Sequence, residues 1–466
     1  MCGIIGVIGG KLNIGTFLMC LEALATRGQE AAGLTGFVGG FISEKTQGTA
    51  KNLERSLPDT SEKVDICVAS TRYPTIGTLR KESLHRHLAP FTESTSGNGV
   101  LSLAFNGNII FPEVINQGND GALLCKLLKE NLENTDHSIY KAVQRVMTQT
   151  DGSYSVVAML GDDKIIAFRD PYGIRPLCWG ELDDGYVVTS ETRILEKLGI
   201  HEFNFVPPGG LLIFSRGRFE RHRIRFEQTH HCMFEWTYFS QAPSINEGAE
   251  VYTVRYNLGT ILGRLLEEQG IKTADYVIPV PNTSRSGAVG CADYLGLRYA
   301  DGLIKNTTGR IFIKPKKSRI KEIKVVYETV ESVIKNKKII LIDDSIVRGT
   351  TLTSVIDLLR KKGAKEIHVG ITTPLIKYPC VYGIDMSRPG ELLASKRTVE
   401  EIKTKLGCDS LTYMTIEGLR EAIEVDGLCT ACLDAIYPTP RARELFRNID
   451  RMNADERAYE QNIIGR

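Results

Sequence analysis

The sequence predicts two domains in series: an α+β domain of layered antiparallel sheets, then an α/β domain with a parallel sheet. Three observations carry this expectation. Up to about residue 225, apolar residues fall in short alternating runs divided by Gly- and Pro-rich turns, with few helical stretches. Beyond about residue 235, strand-like runs alternate with helix-like ones, the rhythm of parallel strands joined by crossover helices. At 466 residues the chain is too long for a single core, so two or three domains are expected.

In the first domain, residues 4–8, 66–70, 100–105, 154–160, 164–168 and 211–214 read as strands. Residues 16–26 and 120–132 repeat apolar side chains at three-to-four spacing and read as helices. Asp170-Pro171-Tyr172-Gly173 and Pro207-Pro208-Gly209-Gly210 are strong turn signals. A basic, His-containing stretch over 216–231 marks the change of texture, dividing the chain into 2–228 and 229–440. In the second domain, 251–269, 288–295 and 351–362 read as helices, and 276–280, 338–342 and 366–372 as strands. The charged tail 441–466 reads as a helical extension.

Composition narrows the function classes. The net charge of +2 gives no bulk field to recruit nucleic acid or a membrane surface. No apolar run approaches the ~20 residues that span a bilayer, and the first residues lack the regions of a signal peptide. A cytoplasmic location is expected. Eleven cysteines, an odd number, do not form a disulfide framework in such a chain, so those in distinctive settings read as metal ligands or catalysts.

One such cysteine is Cys2, in Met1-Cys2-Gly3-Ile4. Removal of Met1 places a thiol and a free α-amine on one residue. The amine, with an unperturbed pKa of roughly 8, can serve as base for a thiol that is nucleophilic as thiolate. Alone, Cys2 reads equally as a small apolar residue opening a buried strand.

The most specific run is Ile339-Ile340-Leu341-Ile342-Asp343-Asp344-Ser345-Ile346-Val347-Arg348-Gly349-Thr350-Thr351. A buried strand ends in paired carboxylates; a Gly-containing turn and two threonines then open a helix. Ligands of open α/β sheets bind beyond the carboxyl ends of strands, and a helix N-terminus offers N–H groups and a positive dipole end to phosphate. The carboxylates suit ribose hydroxyls and, through water, a metal. This string resembles the phosphoribosyl-pyrophosphate (PRPP) signature of type I phosphoribosyltransferases. The resemblance implies that Asp343 and Asp344 hold the ribose hydroxyls. It further implies that Ser345, Ile346, Val347, Arg348, Gly349, Thr350 and Thr351 cradle the 5′-phosphate.

Three further runs resemble motifs of class II glutamine amidotransferases, whose fold is that of N-terminal-nucleophile hydrolases. They are Arg27-Gly28-Gln29-Glu30-Ala31-Ala32-Gly33, Thr71-Arg72-Tyr73-Pro74-Thr75-Ile76-Gly77 and Phe105-Asn106-Gly107-Asn108. The resemblance implies that Cys2 attacks a glutamine side-chain amide while Asn106 and the Gly107 N–H stabilise the oxyanion. Arg72 would pair with the glutamine α-carboxylate, Asp120 with its α-ammonium, and Arg27, Gly28 and Thr75 would complete the glutamine site. Singly, Arg72 reads as a surface charge, Asn106-Gly107 as a hairpin turn and Asp120 as an N-cap. The family's usual His residues are replaced by Thr26 and Phe105, and the acid after the Asp120 motif by Ala122.

A glutaminase domain fused to a PRPP-binding domain resembles the amidophosphoribosyltransferases. Phe168-Arg169-Asp170-Pro171-Tyr172-Gly173-Ile174-Arg175-Pro176-Leu177, Gly302-Leu303-Ile304-Lys305-Asn306 and Gly309-Arg310-Ile311-Phe312-Ile313 also match that family. The resemblance implies glutamine-dependent amination of PRPP to 5-phosphoribosylamine, the first committed step of purine synthesis. It implies Mg²⁺ at Thr283, Asp343 and Asp344, PRPP contact from Lys305, purine nucleotides as feedback inhibitors, and a homotetramer or homodimer. The lysine-rich segment 314–324 is expected to close over the pyrophosphate as a lid. The family's Val-Pro-Asp-Ser-Gly loop appears as Val280-Pro281-Asn282-Thr283-Ser284, with an acid lost. Cys429-Thr430-Ala431-Cys432, with Cys232 and Cys380, resembles the branch whose four cysteines ligate a [4Fe–4S] cluster. Four thiolates by themselves suit zinc or iron–sulfur. The other cysteines (Cys20, Cys67, Cys125, Cys178, Cys291, Cys408) read as core residues. Another class II amidotransferase and a non-catalytic PRPP sensor are the rival readings.

Overall fold

A computed structural model describes residues 1–57, 59, 61–72, 88–97, 99–110, 119–305 and 327–447. Two antiparallel sheets, of seven and six strands, make the first half. The N-terminal strand Gly3–Ile8 is buried throughout and lies between Gly185–Thr189 and Ile66–Arg72. In the other sheet, Gly99–Ile109, Gly152–Leu160 and Lys164–Arg169 form a consecutive meander.

Side-chain alternation assigns the two faces of each sheet. Ile4, Ile8, Val68, Val157, Ile165 and Phe214 pack between the sheets. Ile5 and Val7 face outward against Phe17 and Leu21 of the helix Ile14–Ala23. Asp120–Glu133 and Ile139–Gln149 cover the outer face of the six-stranded sheet. The result is a helix–sheet–sheet–helix sandwich, as the sequence predicts. Ile139–Gln149 escapes the sequence reading although its buried Ala142, Val143, Val146 and Met147 have helical spacing.

The second half is built on a parallel sheet of Tyr276–Pro279, Lys338–Asp343, Glu366–Ile371 and Ser410–Tyr413, in that order. Ile340 and Ile342 meet the helices Val251–Glu268 and Arg285–Leu295 on one face. Ile339 and Leu341 meet Thr350–Lys361 and Val399–Leu406 on the other. Burial on both faces explains the unbroken apolar run before Asp343. The edge strand Ser410–Tyr413 goes unread in the sequence because it has only four residues.

The halves meet along a broad seam. The last strand of the first sheets is Arg218–Arg223, and by His231 the chain pairs in parallel with Leu428–Cys429. Arg169 donates to Glu247 at 2.8 Å. The helix Pro440–Leu445 returns to the first half, where the Arg441 N–H donates to Asp151 at 3.1 Å. Most of the expected helix over 441–466 lies outside the described residues. No described helix is long and apolar enough to cross a membrane.

Ile4 carries the N-terminal strand into the inter-sheet layer and is fully buried. Ile4→Ala is expected to destabilise the first half by about 2–5 kcal/mol, the cost of a buried Ile truncation, read by urea denaturation.

Candidate active site

The buried strand Gly3–Ile8 delivers Cys2 to the rim of the first sheet, where its thiol-bearing residue is only half-buried. The Cys2 N–H donates to Asn106 Oδ1 at 3.1 Å, and the Gly3 N–H to Thr71 Oγ1 at 3.1 Å. With its oxygen held, Asn106 turns its Nδ2 away; that atom is buried without a hydrogen-bond partner among the described residues. Arg72 ends the strand Ile66–Arg72, and its Nη1 is likewise buried and unpartnered among them. Burial lowers the Arg72 pKa, opposed by Cys2, Asp120 and Glu30. Asp120, buried, accepts the Ile109 N–H at 3.3 Å; burial raises its carboxyl, against that N–H and Arg72.

Two buried donors and a buried carboxylate therefore surround a half-exposed thiol. Unpaired buried donors cost about 1–3 kcal/mol each, which a ligand with acceptor oxygens would recover. An α-amino acid with a side-chain amide has the matching groups: carboxylate for Arg72, ammonium for Asp120, amide oxygen for Asn106. The N-cap beside Asp120 is Asn119, which accepts from Gly121 and Ala122, so Asp120 itself is spared that role.

Arg27 requires a correction. Its side chain does not face a substrate: fully buried, it donates through Nε to the Cys2 carbonyl at 3.3 Å. Its other nitrogens bind Glu235 at 2.9 and 2.8 Å and Glu191 at 3.2 Å. It supports Cys2 from behind. Gly28 follows in the same turn, its N–H on the Ala25 carbonyl at 3.1 Å. Thr75 lies outside the described residues, as do the 314–324 segment, Asn306 and 309–313.

In the second half, Asp343 ends its strand, and Gly349, at φ 75°, turns the chain into the helix Thr350–Lys361. One pocket is lined by Asp343 to Leu352 together with Asn282, Thr283, Lys305 and Tyr327. Burial and then Asp344 push the Asp343 carboxyl well up, opposed by the Asp344 N–H, Ser284 and Lys305. Ser284 Oγ donates to Asp343 at 3.2 Å, a contact missing from the sequence reading, which looked only to its neighbour Thr283. Arg348 pairs with Glu391 and Asp385. Crowded carboxylates at a strand end suit a hard cation, which takes one or two carboxylates and completes its shell with water and phosphate oxygen.

The two sites share a wall. Met1, joined to Cys2, is buried and lines the same pocket as Asp343 to Thr351, beside Phe234, Tyr238 and Phe239. Glu30 is also caught between them, its carboxyl raised by burial and Asp385 against the pull of Arg72. In the sequence Glu235 is marked only as a neighbour of Cys232, and Phe239 not at all; their contacts arise only where distant segments meet.

The four singled-out thiols converge at the seam. Cys232 and Cys429 are register partners. The Cys432 carbonyl accepts from the N–H groups of Lys377 and Tyr378 at 3.0 Å each, which draws in the segment carrying Cys380. Burial pushes Cys232 up to about 11 and Cys429 and Cys432 well above the usual thiol range; neighbouring thiols add to it. Such thiols ionise when a cation joins them. Among the described residues, no three His, Cys, Asp or Glu side chains are spaced for a single metal ion. The six remaining core-type cysteines are all buried and free.

The chain is similar to known proteins over nearly its whole length. Residues 258–373 match the phosphoribosyl transferase domain family. The chain is 37% identical to the amidophosphoribosyltransferase of Methanothermobacter thermautotrophicus, over 94% of each protein. It is 33% identical to that of Bacillus subtilis, again over 94% of each. Among solved structures it resembles glutamine PRPP amidotransferase from B. subtilis complexed with ADP and GMP. That match has a TM-score of 0.83 and 32% identity, covering 94% of this chain and 97% of the other. With a half-exposed N-terminal thiol on one side of the seam and a phosphate-type pocket on the other, the chain belongs to the amidophosphoribosyltransferase family.

Proposed function

We propose that the chain transfers the amide nitrogen of glutamine to C1 of PRPP, giving 5-phospho-β-D-ribosylamine, glutamate and pyrophosphate. This is the first committed step of purine synthesis. The observation that carries the proposal is the shared wall: the residue bonded to Cys2 lines the pocket of Asp343 to Thr351.

Once Met1 is removed, the Cys2 α-amine takes the thiol proton and Sγ attacks the glutamine amide carbon. The oxyanion meets Asn106 Nδ2 and the Gly107 N–H, each donor worth roughly 2.7–4 kcal/mol. As the intermediate collapses, the Cys2 α-ammonium returns its proton to the leaving nitrogen, which departs as ammonia, and water then hydrolyses the thioester to glutamate and the free Cys2 thiol. Ammonia then attacks C1 of PRPP as the bond to pyrophosphate breaks, and it gives up a proton. Loss of Met1 removes a buried side chain from between the two reactions, which shortens the path for ammonia. Asp343 and Asp344 hold the ribose hydroxyls, Ser345 to Thr351 the 5′-phosphate, and Lys305 the pyrophosphate side.

Mg²⁺ fits Asp343 and Asp344, with Thr283 at the pocket wall; when bound, it neutralises the leaving pyrophosphate. Cys232, Cys380, Cys429 and Cys432 would be the thiolate ligands of a [4Fe–4S] cluster; supporting this, Cys232 and Cys429 are register partners and all four thiols are buried. Held by these residues, it would join the two halves and serve a structural role. Purine nucleotides, the class bound in the B. subtilis structure, are proposed as feedback inhibitors.

Cys2→Ser is expected to abolish glutamine-dependent product while ammonia-dependent synthesis persists, followed by pyrophosphate release; loss of both activities would refute separate sites. Arg72→Lys, which forfeits bidentate pairing, is expected to raise KM for glutamine about tenfold or more, about 1.4 kcal/mol per decade, and to leave KM for PRPP unchanged. Anaerobically purified protein is expected to contain iron and acid-labile sulfide with broad visible absorption, all lost in Cys429→Ser. Stoichiometric zinc without sulfide would overturn the cluster assignment.

A further inference from the structure

The strand that carries Asn106 and Gly107 is not held by the first half alone. The turn 381–383 of the second half begins one residue past Cys380 and lies against it. Asn108 Nδ2 donates to the Val381 carbonyl at 2.9 Å, and Ser153 Oγ to the Tyr382 carbonyl at 2.9 Å. Residues 108 and 153 are register partners on adjacent strands, so both grip the turn from one place. Gly383 then meets Gly107 backbone to backbone. It sits at φ 95°, and a Cβ on it would stand 2.8 Å from the Gly107 carbonyl oxygen and 2.9 Å from its carbonyl carbon. Real Cβ atoms do not approach so closely, and rigid backbone on the other side cannot yield as a side chain would.

The turn is fixed from behind. The Tyr382 hydroxyl pairs with Thr439 Oγ1 at 3.1 Å, and Tyr437 donates to the Pro379 carbonyl at 2.6 Å. Arg175 donates to the Tyr382 carbonyl through Nε at 3.0 Å and also through Nη2. Its Nη1 reaches Glu235 at 3.3 Å; Glu235 holds Arg27, which holds the Cys2 carbonyl. One turn thus supports both the residue expected to receive the oxyanion and, through two arginines, the nucleophile.

We propose that the 381–383 turn is a positioning element of the glutaminase site: Gly383 sets the Gly107 peptide, and hydrolysis is competent only while this turn is docked. The inference rests on the glutaminase reading above. None of the three residues touches glutamine, so their effect falls on the geometry of the transition state and not on substrate binding.

The test compares the full chain with Gly383→Ala and Ser153→Ala. Gly383→Ala is expected to lower kcat for glutamine hydrolysis ten- to a hundredfold, the order expected for sub-ångström to ångström misplacement. KM for glutamine and ammonia-dependent synthesis should stay within about twofold. Ser153→Ala should lower the same kcat about threefold or more, and the double variant should fall short of the product of the two effects. Alkylation of Cys2 by iodoacetamide, which needs no oxyanion stabilisation, should keep its rate in all variants. An unchanged kcat in both single variants overturns the proposal, as does an equal loss of both synthetic activities or a change confined to KM. Should Gly383→Ala fail to fold, Ser153→Ala decides by the same criteria. Wild-type protein without glutaminase activity would instead remove the functional reading itself.

Discussion

The position of Cys2 depends on one buried guanidinium. Arg27 is 0% exposed, yet it carries its charge between Glu235 and Glu191 while its Nε holds the Cys2 carbonyl. Burial works against that charge, but the two carboxylates outweigh it and hold the Arg27 pKa above its ordinary value. Such a group has no neutral escape. Removing either carboxylate leaves an uncompensated interior charge, a cost of about 3–5 kcal/mol. Since Glu191 belongs to the first half and Glu235 to the segment after the first sheets, the pairing also fixes how the halves meet. An apolar contact tolerates a slide of a few tenths of an ångström; short charged hydrogen bonds, such as those from Arg27 Nη2 to both Glu235 oxygens, lose their geometry with the same displacement.

This constraint explains why the two chemical sites share a wall. The N-terminal strand is locked between two neighbours, so Cys2 has little freedom of its own. Arg27 ties its carbonyl to Glu235, and the following residues Trp236 to Ser240 are held by Arg255 at 2.8 Å on the Trp236 and Ser240 carbonyls. Arg255 stands on the helix Val251–Glu268, which packs on the parallel sheet that presents Asp343. From thiol to carboxylate pair there is an unbroken path of buried ion pairs, hydrogen bonds and packed helix. The distance between the two sites is therefore set by rigid parts.

Motifs whose chemistry is local were legible in the sequence. Asp343 to Thr351 could be read because strand, acid pair, glycine and helix start are consecutive, and each has a strong backbone preference. Asn106, Gly107 and Arg72 were singled out by the resemblance of their motifs and not by position: Arg72 ends its strand, whereas Asn106 and Gly107 lie within theirs. Both domain folds followed from the period of apolar residues. What could not be read depends on contacts across more than a hundred residues: Glu235 with Arg27, Ser153 with Tyr382, Gly383 with Gly107. A lone Glu or Gly between such segments carries no periodicity or spacing to mark it. Arg27 was misread for the same reason. Its motif identified the turn but not which way a long side chain leaves it, and the partners that settle its direction lie elsewhere in the chain.

The ion-pair chain also bears on the thiols. Arg193, Arg27 and Arg175 alternate with Glu191 and Glu235, three cations against two anions. The surplus has to be met at the ends. At one end Arg193 is 12% exposed and reaches solvent. At the other, Arg175 is 0% exposed, so water cannot share its charge. Burial disfavours that charge, but Cys232, Glu235, Cys380 and Cys429 together hold its pKa above the ordinary value. Glu235 is already shared with Arg27, and the thiols are the other groups beside Arg175 from which a counter-charge could come. Neutral thiols cannot supply it, whereas thiolates bound to a cationic centre can, because a ligated thiolate needs no proton. Arg175 and the cysteines beside it are in this sense neighbours in one buried electrostatic environment at the seam.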